Sequence, residues 1–249
     1  MAKTERIKIL QAGDFWYAIQ YTSLAGGVSK ERRAAKHGIS SQVREKINVR
    51  TSIQKLWLIL VSTFEPKRDL FVSLTYRDDD LPKTPEEANK RLKAWFRELR
   101  KYRRERGQDM VYVYSTEGLH SGMRYHHHVL INGTGDDYEI MRQLWEKNGD
   151  QVEIHPYYKK THWEHAQYLT KEPREKGRRH VGDRMWKQSR NVKRPVVTYD
   201  DAPVGSDLQP PPGAYVADRS ETINTYGRFQ YLECRLNYSK PNKKKSDLK

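Results

Sequence analysis

Two short patterns in this chain could do chemistry. The first is Glu117 followed by His126 and His128, the two histidines lying in the stretch RYHHHVLIN (residues 124–132); the second is Tyr168 followed by Lys171, in HAQYLTKE (residues 165–172). On a strand, successive side chains point to opposite faces, so Arg124, His126, His128 and Leu130 share one face while Tyr125, His127, Val129 and Ile131 share the other. Only His126 and His128 can therefore meet the same ligand. Two imidazoles suit a transition metal or a borderline divalent ion, and a carboxylate from Glu117, returning across a hairpin to about the same level, would complete a His-His-Glu set with positions open for water and phosphate oxygens. His127, on the opposite face, is expected to pack or to make a local hydrogen bond.

An isolated H-x-H pair is more often a cluster without metal, and the second pattern shifts that balance. On a helix Tyr168 and Lys171 are i and i+3, so phenol and ammonium project from one side. A phenol ionises near pH ~10 and attacks only when held in line with a phosphorus whose charge is neutralised by a metal and a cation. The chain has 16 tyrosines, so Y-x-x-K alone carries little weight. Tyr157 and Tyr158 are alternative nucleophiles, without a lysine in an equally good helical position. His162 and His165, close to the tyrosine, read as hydrogen-bonding or DNA-contacting residues rather than ligands.

The elements that must hold these groups are legible in outline. Asp69–Tyr76 (DLFVSLTY) is rich in β-formers and ends at the turn RDDDLP, which predicts a strand. From Thr84 to Gly107 the spacing of Ala88, Leu92, Trp95, Phe96, Leu99 and Tyr102 predicts an amphipathic helix, with Thr84 as cap, Pro85 first and Glu87 three residues on. Its other side, Lys90, Arg91, Lys93, Arg97, Arg100, Lys101, Arg103, Arg104 and Arg106, reads equally as a solvated face or a DNA contact. Met110–Thr116 is a second strand joined to the histidine strand through EGLHSGM. A helix over 137–147, a short strand over 152–154 and a helix over 163–171 follow. The plan is α+β: an antiparallel central sheet flanked by helices.

Three regions follow from composition: a basic helical extension over 1–65, with 11 basic and 5 acidic residues and a helix from about Ser40; a central domain over 66–195; and an irregular Pro-, Gly- and Lys-rich tail over 196–249. Positions 171–194 hold 10 basic and 3 acidic residues, and the whole chain carries 47 Lys plus Arg against 32 Asp plus Glu, a net charge of +15. That excess points to a polyanion, nucleic acid first. The single cysteine, Cys234, excludes a disulfide framework, a multi-cysteine zinc module and the two-cysteine half of a zinc deaminase. The longest apolar run, LWLILV, is far below the roughly 20 residues that cross a bilayer, and no signal peptide opens the chain, so a cytoplasmic protein without a membrane partner is expected. No P-loop is present, so no fused helicase is expected.

Taken in order, the strand ending LTY, the E-x8-H-x-H set and the later Y-x-x-K resemble the HUH endonuclease superfamily, specifically the single-tyrosine rolling-circle replication initiators of bacterial plasmids, phages and prophages. A K-x-N segment, Lys46 to Asn48, and a W-x-x-S-R-N segment, Trp186 to Asn191, add to the likeness, which covers about residues 45–195. The resemblance implies an RRM- or ferredoxin-like palm. It makes Phe71–Tyr76 the first motif, Glu117, His126 and His128 the ligands of Mg²⁺ or Mn²⁺, Tyr168 the nucleophile and Lys171 its electrostatic partner. It implies nicking of single-stranded or extruded origin DNA through a 5′-phosphotyrosine, with rejoining, and a host polymerase and helicase as partners. Thr75, Tyr76, Arg124, Arg178, Arg179, Arg184, Lys187 and Arg190 are the expected DNA contacts. The superfamily's residue between the two histidines is usually bulky and apolar, and here it is His127. A relaxase or transposase would use the same chemistry, and an RRM-like module would bind nucleic acid without it.

Overall fold

Alternation of apolar and polar residues over DLFVSLTY does make a strand, and the rest of the palm assembles around it. In the computed structural model, residues 3–24, 41–118, 124–149, 151–158, 162–175, 184–224 and 227–236 are described. Contacts divide the chain into two compact units, Ser40–Lys193 and Met1–Ile39 with Arg194–Lys249.

The first unit contains helix α1 (Ser41–Thr63), strand β3 (Leu70–Thr75), helix α2 (Pro85–Arg104), strands β4 (Tyr112–Glu117) and β5 (His126–Ile131), helix α3 (Tyr138–Trp145), strand β6 (Val152–Pro156), helices α4 (His162–Tyr168) and α5 (Lys171–Glu175), and strand β7 (Lys187–Gln188). The five strands form one antiparallel sheet in the order β6-β3-β5-β4-β7. This is the expected α+β palm with helices on both faces.

The two sheet faces have different cores. On one, Leu70, Val72, Leu74, Val129 and Ile131 pack with Leu92, Trp95, Phe96 and Leu99 of α2 and with Met141 and Trp145 of α3. On the other, Phe71, Val113 and Leu130 pack with Ile53, Leu56 and Leu60 of α1 and with Ala166 of α4. Period-2 alternation in β3 and β5 feeds both cores, so each strand is buried on both sides and its register is strongly specified.

The expected cap of α2 is present: Thr84 Oγ1 accepts from the Glu87 amide at 3.2 Å, Pro85 opens the helix and Glu87 accepts from the Lys83 amide at 2.8 Å. Its basic face is not uniformly solvated. Arg103 is fully buried, bonded through Nε to Asp137 at 2.6 Å and through its remaining nitrogens to Asn132. Arg91 bonds Asp80 and Glu87. In Arg103 a guanidinium substitutes for an apolar residue because it can satisfy several carbonyl and carboxylate acceptors at once, joining α2 to the start of α3.

The flanks correct the sequence reading. Only the expected helix from about Ser40 lies in the N-terminal extension, as α1; residues ahead of it form a hairpin of β1 (Lys3–Ala12) and β2 (Phe15–Leu24). The supposedly irregular tail contains β8 (Val196–Ala202), β9 (Tyr215–Asn224) and β10 (Gly227–Arg235), and all five strands form one antiparallel sheet ordered β8-β1-β2-β10-β9. Their alternation is muted because the inward face is partly polar: Gln20 donates to Glu5 at 2.6 Å between Ala18, Leu232 and Cys234. Cys234 is a free, buried thiol.

Candidate active site

The site is built on the sheet face that carries α1 and α4. Register pairs Glu117 with His126 across β4 and β5, and pairs Thr75 and Ser73 of β3 with His126 and His128. Gly118 lets the chain leave β4 immediately after the carboxylate: its φ is +84°, and a Cβ there would lie 2.3 Å from the Arg124 carbonyl oxygen.

The metal-capable atoms of Glu117, His126 and His128 all lie within 4.8 Å of one another. Glu117 Oε2 is 3.2 Å from His126 Nε2, and Oε1 is 3.8 Å from His128 Nε2. Oε1 is buried and has no hydrogen-bond partner, an expensive state for a carboxylate oxygen. A divalent cation bound by these atoms would remove that cost, so the residues fit a metal centre. Ser73 Oγ lies 3.2 Å from His128 Nδ1, which leaves Nε2 as the inward-facing nitrogen. Phe71 stacks on the His128 ring at 5.7 Å.

Electrostatics separate the two imidazoles. The Glu117 hydrogen bond holds His126 above its ordinary value against burial. Burial pulls His128 down to about 4, despite Glu117. At neutral pH His128 is therefore an uncharged ligand with a free lone pair. Burial would raise the Glu117 carboxyl, but the His126 hydrogen bond and the charges of His128, His126 and Lys171 outweigh it and hold the carboxyl low.

Tyr168 ends α4 and brings its phenol to the cluster. The hydroxyl is 3.1 Å from His128 Nε2, the rings are 4.7 Å apart, and the residue is 42% exposed. Burial, then the charges of Glu117 and Glu153, push the phenol's pKa up. Tyr168 and Lys171 do not share one helix as expected. The helix breaks at Leu169 and Thr170, and Lys171 begins α5. Thr170 is the reason: its hydroxyl bonds back to the Ala166 and Gln167 carbonyls, and Leu169 turns into the core. Lys171 nonetheless lowers the Glu117 pKa, so its charge reaches the cluster.

His127 points the other way, fully buried, with Nε2 2.6 Å from the Tyr76 hydroxyl and Nδ1 2.8 Å from Thr116 Oγ1. Tyr76 donates to the Ala88 carbonyl, so His127 Nε2–H donates to Tyr76 and Nδ1 accepts from Thr116. Desolvation pulls its pKa to about 3. Tyr76, expected at the DNA surface, is instead fully buried in this bridge.

The other expected residues are dispersed. Thr75 is half-buried and donates to the Gln151 carbonyl. Arg124 is exposed, pairs with Asp78 at 2.7 Å and bonds the Tyr76 carbonyl. Arg184, Lys187 and Arg190 are exposed, and Arg178 and Arg179 lie outside the described residues. Tyr157 is fully buried and its phenol is pushed up by burial, while Tyr158 is 54% exposed. His162 and His165 pack their rings against Tyr157. Ser73 and Thr116 escaped the sequence reading; their one signal was a hydroxyl inside a strand, opposite a histidine.

Residues 69–189 match the family model of the replication-associated protein ORF2. That span takes in β3, the cluster, Tyr168 and Lys171. No curated protein and no solved structure matches the chain. Among the described residues no helix is long and apolar enough to cross a membrane.

Proposed function

We propose that the protein is a metal-dependent DNA nicking endonuclease that initiates rolling-circle replication, with Tyr168 as nucleophile. The observation that carries this reading is the meeting, on one sheet face, of the Glu117–His126–His128 cluster and the half-exposed Tyr168 phenol, 3.1 Å from His128. The family match over the same residues supports replication as the setting.

Glu117, His126 and His128 would hold Mg²⁺ or Mn²⁺, which when bound supplies Lewis-acid neutralisation of the scissile phosphate. Tyr168 Oη forms the new bond to phosphorus and gives up its proton; the bond from phosphorus to the 3′-oxygen breaks, and that oxygen takes up a proton. The products are a 5′-phosphotyrosine and a free 3′-OH able to prime synthesis. Phosphodiester energy is retained, so the step reverses. Lys171 stabilises the negative charge on the reacting oxygens. Ser73 and Phe71 hold the His128 ring.

The test is a denaturing gel of labelled single-stranded DNA with Mn²⁺. A protein-linked band is expected with wild type and is expected to vanish with Tyr168→Phe, with His126→Ala/His128→Ala, and with chelator. A covalent band that survives Tyr168→Phe would remove the nucleophile assignment. Binding without cleavage across a panel of origin-like oligonucleotides would favour a non-catalytic binding module, and a preference for transfer-origin or transposon-end sequences would favour a relaxase or transposase.

A further inference from the structure

The metal cluster lies at the Glu117 end of β4; a second feature lies at its Tyr112 end. There a cavity of about 810 Å³ is lined by Arg100 and Arg104 of α2, by Tyr112, and by Gln188, Ser189 and Arg190. All three arginines are exposed. The first two come from the last helical turns and the third from a segment more than eighty residues later in the chain.

That later segment is fixed in place. Ser189 donates its amide to the Tyr112 carbonyl at 2.9 Å and accepts the Tyr112 amide on Oγ at 3.1 Å, and Asn191 donates to the Met110 carbonyl at 3.3 Å. Arg190 sits between these two anchors. The opposite wall is equally ordered: Tyr112 stacks on Phe96 at 3.9 Å, and Arg100 donates to the Tyr112 hydroxyl at 3.3 Å. Neither Arg104 nor Arg190 has an ion pair among the described residues. Asp109 also lines the cavity, leaving an excess of two positive charges. Basic residues at a helix C-terminus can simply offset the helix dipole. That account covers Arg100 and Arg104 but not Arg190, which the Ser189 and Asn191 anchors bring to the same opening.

We infer that this cavity is a second DNA site, which grips backbone phosphates flanking the nick through Arg104 and Arg190. The inference rests on the DNA-nicking reading and adds to it a separate place where the substrate is held. Tyr112 and Glu117 are five residues apart on one strand, about 17 Å, or roughly five base pairs of rise. DNA must therefore extend at least that far from the scissile bond to reach both sites.

The experiment uses the full-length Tyr168→Phe protein, with and without Arg104→Ala/Arg190→Ala, in chelator. Binding of fluorescent DNA is followed by anisotropy across a salt series, on oligonucleotides ending three nucleotides or fifteen nucleotides from the nick position. On the long DNA the arginine variant is expected to lower the slope of log affinity against log salt by about 1.5 to 2, since each phosphate contact contributes about 0.7 on single strands and 0.9 on duplex. On the short DNA the slope is expected to be equal in both proteins. Equal slopes on the long DNA would overturn the inference, as would an equal loss on both lengths. A free nucleoside triphosphate that binds the parent and not the arginine variant, with the long-DNA slope unchanged, would overturn it in favour of a nucleotide pocket. Because binding is read without cleavage, these outcomes are independent of the nicking gel.

Discussion

Replacing His127 by leucine tests the buried bridge behind the cluster, and its signature is a change in how stability depends on pH. The imidazole is fully buried, bonded at both nitrogens, and desolvated so that its pKa falls from an ordinary 6.5 to about 3. Below pH 6.5 the unfolded chain therefore takes up a proton at this residue while the folded protein does not, so stability is lost as pH falls, over a window from about 6.5 to about 3. The slope is about 1.4 kcal/mol per pH unit. At pH 5.0 the group should have cost the native state about 2 kcal/mol. His128 contributes a loss of the same sign, but it is present in both proteins and cancels in the comparison. Urea unfolding in chelator, read by tryptophan fluorescence at pH 7.5 and 5.0, should show wild type losing about 2 kcal/mol more than His127→Leu. At pH 7.5 the variant should be weaker by about 1 kcal/mol, because Thr116 loses its acceptor while Tyr76 keeps the Ala88 carbonyl. Parallel losses in the two proteins would mean that folded His127 accepts the proton, and the neutral bridge would be wrong.

Three further perturbations separate positioning from chemistry. Ser73→Ala frees His128 Nδ1 and should weaken Mn²⁺ binding by about 10- to 100-fold in calorimetry; unchanged affinity would show that the ring is held by packing alone. Gly118→Ala forces a Cβ against the Arg124 carbonyl at positive φ and should destabilise the fold by about 1–3 kcal/mol, readable in the urea midpoint, with a wild-type midpoint counting against the strained turn. Asp137→Ala leaves the buried Arg103 guanidinium without its carboxylate and should cost about 3–5 kcal/mol; a loss below about 1 kcal/mol would show that Asn132 and the surrounding carbonyls suffice.

Most of the palm was readable because its signals are local. Alternation in DLFVSLTY, the Thr84 cap with Pro85, and the spacing of Leu92, Trp95, Phe96 and Leu99 each fix one element without reference to any other. The second sheet was not readable in the same way. β1 pairs with β8 and β2 with β10, partners about two hundred residues apart, and neither edge strand buries enough apolar side chains to announce itself: Val196, Val197, Tyr199, Tyr215 and Val216 are all exposed. Strands of this kind gain stability from pairing rather than from their own composition. Thr170 broke the expected helix between Tyr168 and Lys171 for a related reason, since its preference for bonding back to Ala166 competes with the ladder that periodicity alone assumes.

The run of three histidines joins these arguments. A strand whose two faces are both buried resists slipping only if its faces differ, and a one-residue slip would carry His126 and His128 into the core and His127 to the metal side. Three identical side chains in sequence make that slip cheap in shape. The hydrogen bonds oppose it: in the observed register His127 meets an acceptor in Tyr76 and a donor in Thr116, whereas either slipped register leaves His127 as the one imidazole of the run on the metal face, with Tyr125 or Val129 in the place of the second ligand. A bulky apolar residue between the ligands would mark the core face by hydrophobicity. Here His127 marks it by a buried hydrogen-bonded bridge, which requires a donor and an acceptor at fixed positions and so specifies the register by geometry. The two flanking imidazoles are thereby held on the face that carries Glu117 and Tyr168.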